Sequence, residues 1–335
     1  MARLIVRRAL LLVPVLLGLS VLLFAWVRAL PGSPADALLG DRATPEARAE
    51  FDRIYGLDQP LPAQYLSWLA RAVRLDFGDS LETHRSVLTE FLTRFPATVE
   101  LAAAALVFAI AVGVPLGYFA ATRAGSWLDN VSVAASLAGI TVPVFFLAFL
   151  LKYVFAVAVP LFPPSGRLSP WLDDTPHPTG FYLLDGLISG DPLATWDTVQ
   201  HLVLPGIALG SIPLAIITRI TRASVAEVLG EDYVRTAVAK GLSPRTLRTR
   251  HVLKNALLPV TTSIGLMAGL LLSGAVLTET VFAYPGIGRF LYDAINNRDY
   301  AVIQGFTLLT AVVYTVINAA VDISYGVVDP RVRVS

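Results

Sequence analysis

Six long apolar runs constrain the possible folds of this chain more than any other feature of its sequence. A helix that crosses a bilayer needs about 20 mostly apolar residues. Runs of this kind cover Ala9–Leu30, Thr98–Thr122, Val131–Val159, Val199–Thr218, Leu257–Val281 and Val302–Val328. Only 15% of the residues are charged, whereas soluble proteins average about 25%. The sequence therefore predicts an all-α membrane protein with six transmembrane helices.

The first run could be mistaken for a secretory signal peptide, because Arg3, Arg7 and Arg8 precede it. It is longer than a typical signal-peptide core, however, and the residues that follow Arg28 lack a clear small-x-small cleavage site. We therefore expect this run to be retained as the first transmembrane helix.

The distribution of charge predicts the orientation, because lysine and arginine are enriched in short cytoplasmic loops. Basic residues cluster in the N-terminal tail, in the 219–256 loop and in the C-terminal tail, which holds Arg331 and Arg333. The 160–198 segment instead has five aspartates and a single basic residue, Arg167. We expect a multi-pass protein of the cell (inner or plasma) membrane with both termini and the 219–256 loop in the cytoplasm.

The same pattern divides the chain into four parts. Residues 1–30 form the N-terminal tail and first transmembrane helix, 31–97 an extracytoplasmic helical segment, 98–330 a core with five transmembrane helices, and 331–335 a cytoplasmic tail. Within 31–97 we expect a small cap of three helices, which begin at Thr44-Pro45, cover 62–75 and cover Val87–Phe95, ending before Pro96. The 160–198 segment contains seven prolines and is predicted to be loop-like; it could contact a soluble partner or be a tolerated insertion.

Polar and helix-breaking residues within or beside the spans are candidates for an internal pathway or an outer gate. We expect Lys152 to extend towards the membrane interface, with a cavity-lining position as the alternative. Tyr284 is another of these candidates, and a Pro-Gly turn follows it. Glu279 is expected to cap the short helix predicted after that turn, over 289–297, or to face the pathway. Proline removes a backbone hydrogen bond, so interruptions of the spans are expected at Pro115, Pro143, Pro205 and Pro213.

The segment from Arg219 to Pro259 is basic, with eight lysines and arginines against three acids. Its apolar residues have helical spacing. Gly241 suits the position after a helix end, and Ser243-Pro244 suits the start of the next helix. The segment is therefore predicted to be a helix, a glycine turn and a basic helix leading into Pro259, unless it is only a solvated loop that marks the cytoplasmic side.

The motifs of several catalytic classes are missing from the sequence. There is no cysteine, which excludes disulfides and cysteine-ligated metals. None of the three lysines lies in a phosphate-binding loop, the four histidines have no metal-ligand spacing, and no G-x-S-x-G elbow occurs. The net charge of +1 does not argue for nucleic acid. We expect no catalysis, no metal and no cofactor in this chain, so energy for transport would come from a partner or an ion gradient.

Several motifs, in order along almost the whole chain, resemble the B-type permease subunits of ABC importers for dipeptides and oligopeptides. They are Arg7–Pro14, Leu30–Gly40, Tyr55–Pro60, Asp76-Phe-Gly-Asp-Ser80, Phe95–Leu101, Val281–Arg289, Asn297-Arg-Asp-Tyr300 and Asp329-Pro-Arg331. The resemblance implies the type I ABC importer permease fold. It also implies a heterodimer with a second, C-type permease, two ABC ATPase subunits that hold ATP and Mg²⁺, an extracytoplasmic substrate-binding protein, and surrounding membrane lipid.

The resemblance also implies that the 219–256 loop is the EAA-type loop that docks on the ATPase, with Gly241 at the family's glycine position. The three EAA positions fall on Arg235-Thr236-Ala237, so only the last alanine is kept. The predicted docking residues are Glu231, Tyr233, Arg235, Thr236, Ala237, Lys240, Gly241, Leu242 and Pro259.

Membership in this family would not determine the cargo, because relatives also carry nickel, glutathione or other small solutes. The alternatives from other classes are an ion-coupled transporter or channel, and an intramembrane hydrolase. An ion-coupled transporter or channel would be expected to contain paired intramembrane acids or inverted repeats, and neither is clear in the sequence.

Overall fold

A computed structural model describes residues 2–29, 35, 44–172 and 176–328. Within these ranges the chain is mostly helical and has no β-strand; an isolated antiparallel bridge joins Asp79 and Ser86. The α-helices are α1 (Ala2–Ala29), α2 (Pro45–Tyr55), α3 (Leu61–Ala72), α4 (Val87–Thr122), α5 (Trp127–Thr141), α6 (Val144–Lys152), α7 (Tyr182–Ile188), α8 (Pro192–Leu229), α9 (Asp232–Ala239), α10 (Pro244–Thr246), α11 (Lys254–Gly274), α12 (Val276–Val281), α13 (Ile287–Asn296) and α14 (Tyr300–Val328). Two π-helical stretches, Tyr153–Ala158 and Leu247–Leu253, extend α6 and join α10 to α11.

The six predicted apolar runs lie on these helices apart from a few residues, among them Val159, which follows the first π-helical stretch, and residue 30, which is outside the described residues. Among the described residues, four helices are long and apolar enough to cross a membrane: Val87–Thr122, Pro192–Leu229, Pro244–Leu271 and Tyr300–Ala319. A fifth span results if α5 and the Val144–Ala158 helix, which are bent by 104° at Pro143, are counted together. The first predicted run corresponds to a shorter apolar helix, Val13–Ala29, at the end of α1.

Prolines interrupt the spans less often than predicted. Pro143 separates α5 from α6, but α4 runs through Pro96 and Pro115, and α8 runs through Pro205 and Pro213. The expected separate helix Val87–Phe95 is therefore wrong, since it is the first part of α4. A proline inside a helix removes one backbone hydrogen bond, whereas a helix that ends inside a bilayer leaves several groups unpaired, so continuation is the less costly outcome.

The chain forms two compact units, of which the first comprises residues 1–96 and 285–320. As predicted, α2 begins at Thr44, whose side chain accepts a hydrogen bond from the Ala47 N–H at 3.2 Å. Two of the sequence motifs meet in this unit, because the Asp299 carboxylate accepts hydrogen bonds from Ser80 Oγ at 2.9 Å and from the Leu81 N–H at 2.7 Å. The predicted 62–75 and 289–297 helices are confirmed as α3 and α13, with ends shifted by up to three residues.

The second unit comprises residues 97–284 and 321–335, and α8 is its central helix. About 72% of the most apolar stretch of α8 is buried, against 33% or less in the other three long apolar helices. Small residues let α4 approach it closely: a Cβ added at Gly117 would lie 2.5 Å from the Thr218 carbonyl oxygen, and one at Gly210 would lie 2.6 Å from that of Ala105.

Candidate coupling surface and buried polar site

The helix predicted after Arg219 forms in two parts, which are the end of α8 and the separate short helix α9. α8 continues to Leu229, and α9 begins after a break at Gly230 and Glu231. The buried face of α9 consists of Val234 and Ala237. Val234 packs in one cluster with side chains from α4, α8, the 247–253 π-helix and α11, namely Ala121, Val225, Val252 and Ala256. α9 is therefore fixed on the ends of three long helices.

The turn after α9 matches the sequence prediction. Gly241 has a left-handed φ of +74°, which only glycine adopts without strain. The Gly241 N–H donates to the Val238 carbonyl at 2.9 Å and the Leu242 N–H to the Ala237 carbonyl at 3.3 Å, which is the Schellman pattern. Ser243 then caps α10, because its Oγ accepts from the Thr246 N–H at 3.3 Å. Both predictions from local sequence are confirmed.

The other face of α9 and the turn lie exposed on this chain. Tyr233 is 41% exposed, Val238 56% and Leu242 37%. Val238 was not a predicted docking residue, whereas Tyr233 and Leu242 were. Five other predicted docking residues are also exposed, namely Glu231, Arg235, Thr236, Lys240 and Gly241. Tyr233 is held in place because its hydroxyl accepts a hydrogen bond from Asn255 Nδ2 at 2.9 Å. We call Tyr233, Thr236, Val238, Lys240 and Leu242 the coupling surface.

Five predicted docking residues lie outside this surface: Glu231, Arg235 and Gly241 are exposed beside it, and the other two lie elsewhere. Ala237 is on the buried face, where it holds α9 against its neighbours and cannot touch a partner. Pro259 is exposed within α11.

An ion pair that sequence reasoning missed lies near the same end of α8. Arg222 Nε is 2.5 Å from Asp129 Oδ1, and Arg222 Nη2 is 2.9 Å from Asp129 Oδ2. The Gly125 N–H also donates to this carboxylate at 3.0 Å. The pair ties the first turn of α5, which contains Asp129, to α8. The only sequence signal for it was one acid in a short loop and a run of basic residues 93 positions later.

A second polar site surrounds Glu100 in α4, within unit 2, and is almost fully buried. The Glu100 carboxylate in α4 accepts hydrogen bonds from Arg167 Nε at 3.0 Å and Nη2 at 2.6 Å, and from the Leu183 N–H at 2.7 Å. The Tyr284 hydroxyl is 3.4 Å from the same carboxylate. Burial raises the pKa of Tyr284 above its usual range, so the phenol stays protonated and can donate.

Glu279, one of the candidate gate residues, is fully buried in α12 and accepts a hydrogen bond from Thr98 Oγ1 at 2.6 Å. Gly286 is the N-cap residue of α13 and has no side chain to cap it, so the role of Glu279 as a cap for that helix stays a prediction. A buried carboxylate requires donors close by, and the start of α4 supplies one.

Lys152 makes a specific contact that the sequence did not predict. Its Nζ donates to the Val281 carbonyl at 2.8 Å and lies 6.0 Å from the Phe282 ring centroid. The side chain therefore joins the end of α6 to the end of α12, and its extension towards the membrane interface stays a prediction. The free carbonyl at the end of a short helix provides the acceptor.

The 160–198 segment has more structure than predicted. It contains α7 and the first turns of α8, where Asp191 accepts hydrogen bonds from the Leu193 and Ala194 N–H groups, both at 3.0 Å. Asp197 accepts from Ser169 at 2.7 Å, and Asp185 from Thr179 Oγ1 at 2.6 Å. The aspartates thus organise the segment internally. Two others, at 173 and 174, lie outside the described residues.

Comparison with known proteins decides the family. The family model described as "Binding-protein-dependent transport system inner membrane component" matches residues 113–334, and the corresponding N-terminal model matches residues 1–102. The chain belongs to this family. Membership confirms the type I importer permease fold and a multi-pass protein of the inner membrane.

Full-length relatives agree with this assignment. The chain is 47% identical over 330 residues to the di/tripeptide transport system permease protein DppB of Pseudomonas aeruginosa, covering 98% of each chain. It is 45% identical over 336 residues to the dipeptide transport system permease protein DppB of Escherichia coli K12, covering 99% of each. It is 43% identical over 327 residues to the dipeptide permease DppB of Alkalihalophilus pseudofirmus, covering 98% of each. The resemblance inferred from the sequence motifs is confirmed.

No group of three or more histidine, cysteine, aspartate or glutamate side chains in the part of the chain that the structure describes is arranged to hold a metal ion. The buried carboxylates described above, Glu100, Asp185, Asp197 and Glu279, all accept hydrogen bonds from nearby donors. These hydrogen bonds hold the helices and the 160–198 segment together.

Proposed function

We propose that this chain forms half of the translocation pathway for dipeptides and short oligopeptides, which an extracytoplasmic binding protein delivers. A second, C-type permease chain forms the other half, and two ABC ATPase subunits bind ATP and Mg²⁺ and supply the energy. The support for the cargo is that relatives at 43–47% identity over nearly the whole chain are dipeptide or di/tripeptide permeases.

We further propose that the coupling surface docks on an ATPase subunit in the cytoplasm, where both termini of the chain also lie. The observation that carries this proposal is the two-sided character of α9. Its inner face is packed in a cluster with α4, α8 and α11, whereas Tyr233 and Val238 on either side of that face, and Leu242 in the following turn, are exposed. Several exposed apolar side chains on a short helix and its turn are typical of partner contacts.

The packing of α9 also supplies a mechanism for energy coupling. Because protein interiors are close-packed and transmit displacement, a movement of the ATPase that displaces α9 would reach α4, α8 and α11 through Val234. ATP-driven closure of the two ATPases could thereby change the access of the pathway from one side of the membrane to the other. The chemistry of ATP hydrolysis stays in the partner.

The proposal is tested with the complete transporter, reconstituted in vesicles with its partner permease, ATPases and binding protein. Uptake of a labelled dipeptide should require ATP. Tyr233→Asp places a charge in the centre of the coupling surface, so we expect ATP hydrolysis to continue while uptake falls at least about tenfold, the loss that corresponds to about 1.4 kcal/mol of docking free energy. Tyr233→Phe keeps the ring and should transport normally.

Full dipeptide uptake by Tyr233→Asp would remove the coupling surface from the mechanism without affecting the family assignment. ATP-independent uptake driven by an ion gradient would instead favour the ion-coupled alternative. Uptake of nickel or glutathione in place of dipeptides would change the cargo alone.

A further inference from the structure

Unit 1 contains a cavity of about 490 Å³ that no part of the proposed transport mechanism uses. Arg28 of α1, Trp68 of α3 and Gln304 of α14 are among the residues that line it. Each of the three has a buried N–H group, on Arg28 Nη1, Trp68 Nε1 and Gln304 Nε2, that has no hydrogen-bond partner among the described residues. Buried donors are nearly always paired in folded proteins, so these three indicate a missing acceptor.

The side chain of Arg28 is held in a fixed position by two neighbouring side chains. Its Nε donates to Gln64 Oε1 at 2.8 Å, and its guanidinium carbon lies 3.5 Å from the Phe24 ring centroid. The Gln64 amide is fixed in turn, because its Nε2 donates to the carbonyls of Leu57 and Gln59 at 2.9 and 2.7 Å. No carboxylate of the described residues pairs with Arg28. A half-buried guanidinium of this kind is stabilised by an anion.

The acids around the cavity do not supply that anion. Asp299 is buried and already accepts hydrogen bonds from Ser80, Leu81 and Val302, and Asp79 is exposed. Among the described lining residues, every buried side-chain polar atom that lacks a partner is an N–H donor. A water molecule both donates and accepts hydrogen bonds. Three unpartnered N–H donors instead match a ligand group that only accepts hydrogen bonds.

We propose that this cavity binds a phosphate group, with Arg28, Trp68 and Gln304 as its donors. Arginine is well suited to phosphate oxygens because its planar guanidinium offers several donors. The headgroup of a phospholipid is the favoured source, since Arg28 lies in the last turn of an apolar helix, Val13–Ala29, and tryptophan is enriched at the level of lipid headgroups. The volume leaves room for more than a bare phosphate. Free inorganic phosphate is the other source of the same chemistry.

The test uses the full-length chain purified in detergent. In one arm it is equilibrated with micelles containing phosphatidylglycerol, and the lipid retained after size-exclusion chromatography is counted by mass spectrometry. In the other arm, equilibrium dialysis measures binding of radiolabelled inorganic phosphate. We expect the wild type to retain one phosphatidylglycerol per chain, and Arg28→Gln to weaken retention at least about tenfold through loss of a charge-assisted hydrogen bond.

Two further variants keep the outcome decisive. Gln304→Glu has nearly the same shape but places a carboxylate among the donors, so it should lose the lipid even if Arg28→Gln fails to fold. Arg53→Gln removes the same charge from the exposed surface of α2, where Arg53 pairs with Glu50 at 3.0 Å, and should retain the lipid. Binding of inorganic phosphate alone, lost in Gln304→Glu, would support the site and assign a soluble source. Absence of binding in both arms, or equal retention by all variants, would overturn the proposal.

Discussion

The Glu100 carboxylate and the Arg167 guanidinium are each only 6% exposed, so water cannot replace either partner when the other is removed. We expect Arg167→Met to lower the free energy of unfolding by about 3–5 kcal/mol, because it leaves Glu100 buried without a cation. The measurement is the thermal unfolding midpoint of the purified chain in detergent. Arg235→Met is the matched control, since Arg235 is 73% exposed and its loss should have little effect.

The double variant Arg167→Met with Glu100→Gln separates the charge from the packing. It should recover part of the lost stability, because the amide can be buried at lower cost than an unpaired carboxylate. An Arg167→Met chain as stable as the wild type would contradict the account of this buried pair.

Contacts between distant residues are the part of the site that the sequence could not predict. Thr98 and Glu279 are 181 positions apart, and Glu100 and Arg167 are 67 apart. Nothing local in the sequence indicates which buried carboxylate meets which donor, because that depends on how the helices pack. For the same reason the sequence could not predict the partners of Lys152 and Glu279, although both residues were recognised as unusual.

At the scale of helices and turns, local rules predicted well wherever the structure depends on a few neighbouring residues. The cap at Thr44, the left-handed Gly241 and the start of α10 at Ser243 are all confirmed. Local rules predicted poorly at the prolines of α4 and α8, where the surroundings of a long apolar helix outweigh the loss of a single hydrogen bond.

The turn at Gly241 gives a prediction at this scale. A Cβ at Gly241 would have no other atom within 4 Å, so any cost of substitution comes from its φ of +74° alone. Asparagine tolerates this conformation better than β-branched residues do. In the reconstituted transporter we expect Gly241→Val to reduce ATP-dependent uptake, and Gly241→Asn to stay near the wild type. Equal uptake by the two variants would show that this turn geometry is not needed for coupling.

At the scale of the whole molecule, the apolar runs predicted the fold class and the location of each long helix. Their length and composition are sufficient for this, because a bilayer admits few other structures. The orientation of the chain stays a prediction based on the distribution of arginine and lysine. The coupling surface can meet a cytoplasmic ATPase only if this orientation is correct.

The absence of cysteine from the chain makes a direct test of that claim possible. Thr236→Cys lies on the coupling surface, and Ser189→Cys lies at an exposed position after α7, in the segment expected outside. In intact cells that make this chain without the ATPase subunits and are stripped of any outer membrane, a membrane-impermeant maleimide should label Ser189→Cys but not Thr236→Cys. Both should react after the membrane is permeabilised. Labelling of Thr236→Cys in intact cells would contradict the account.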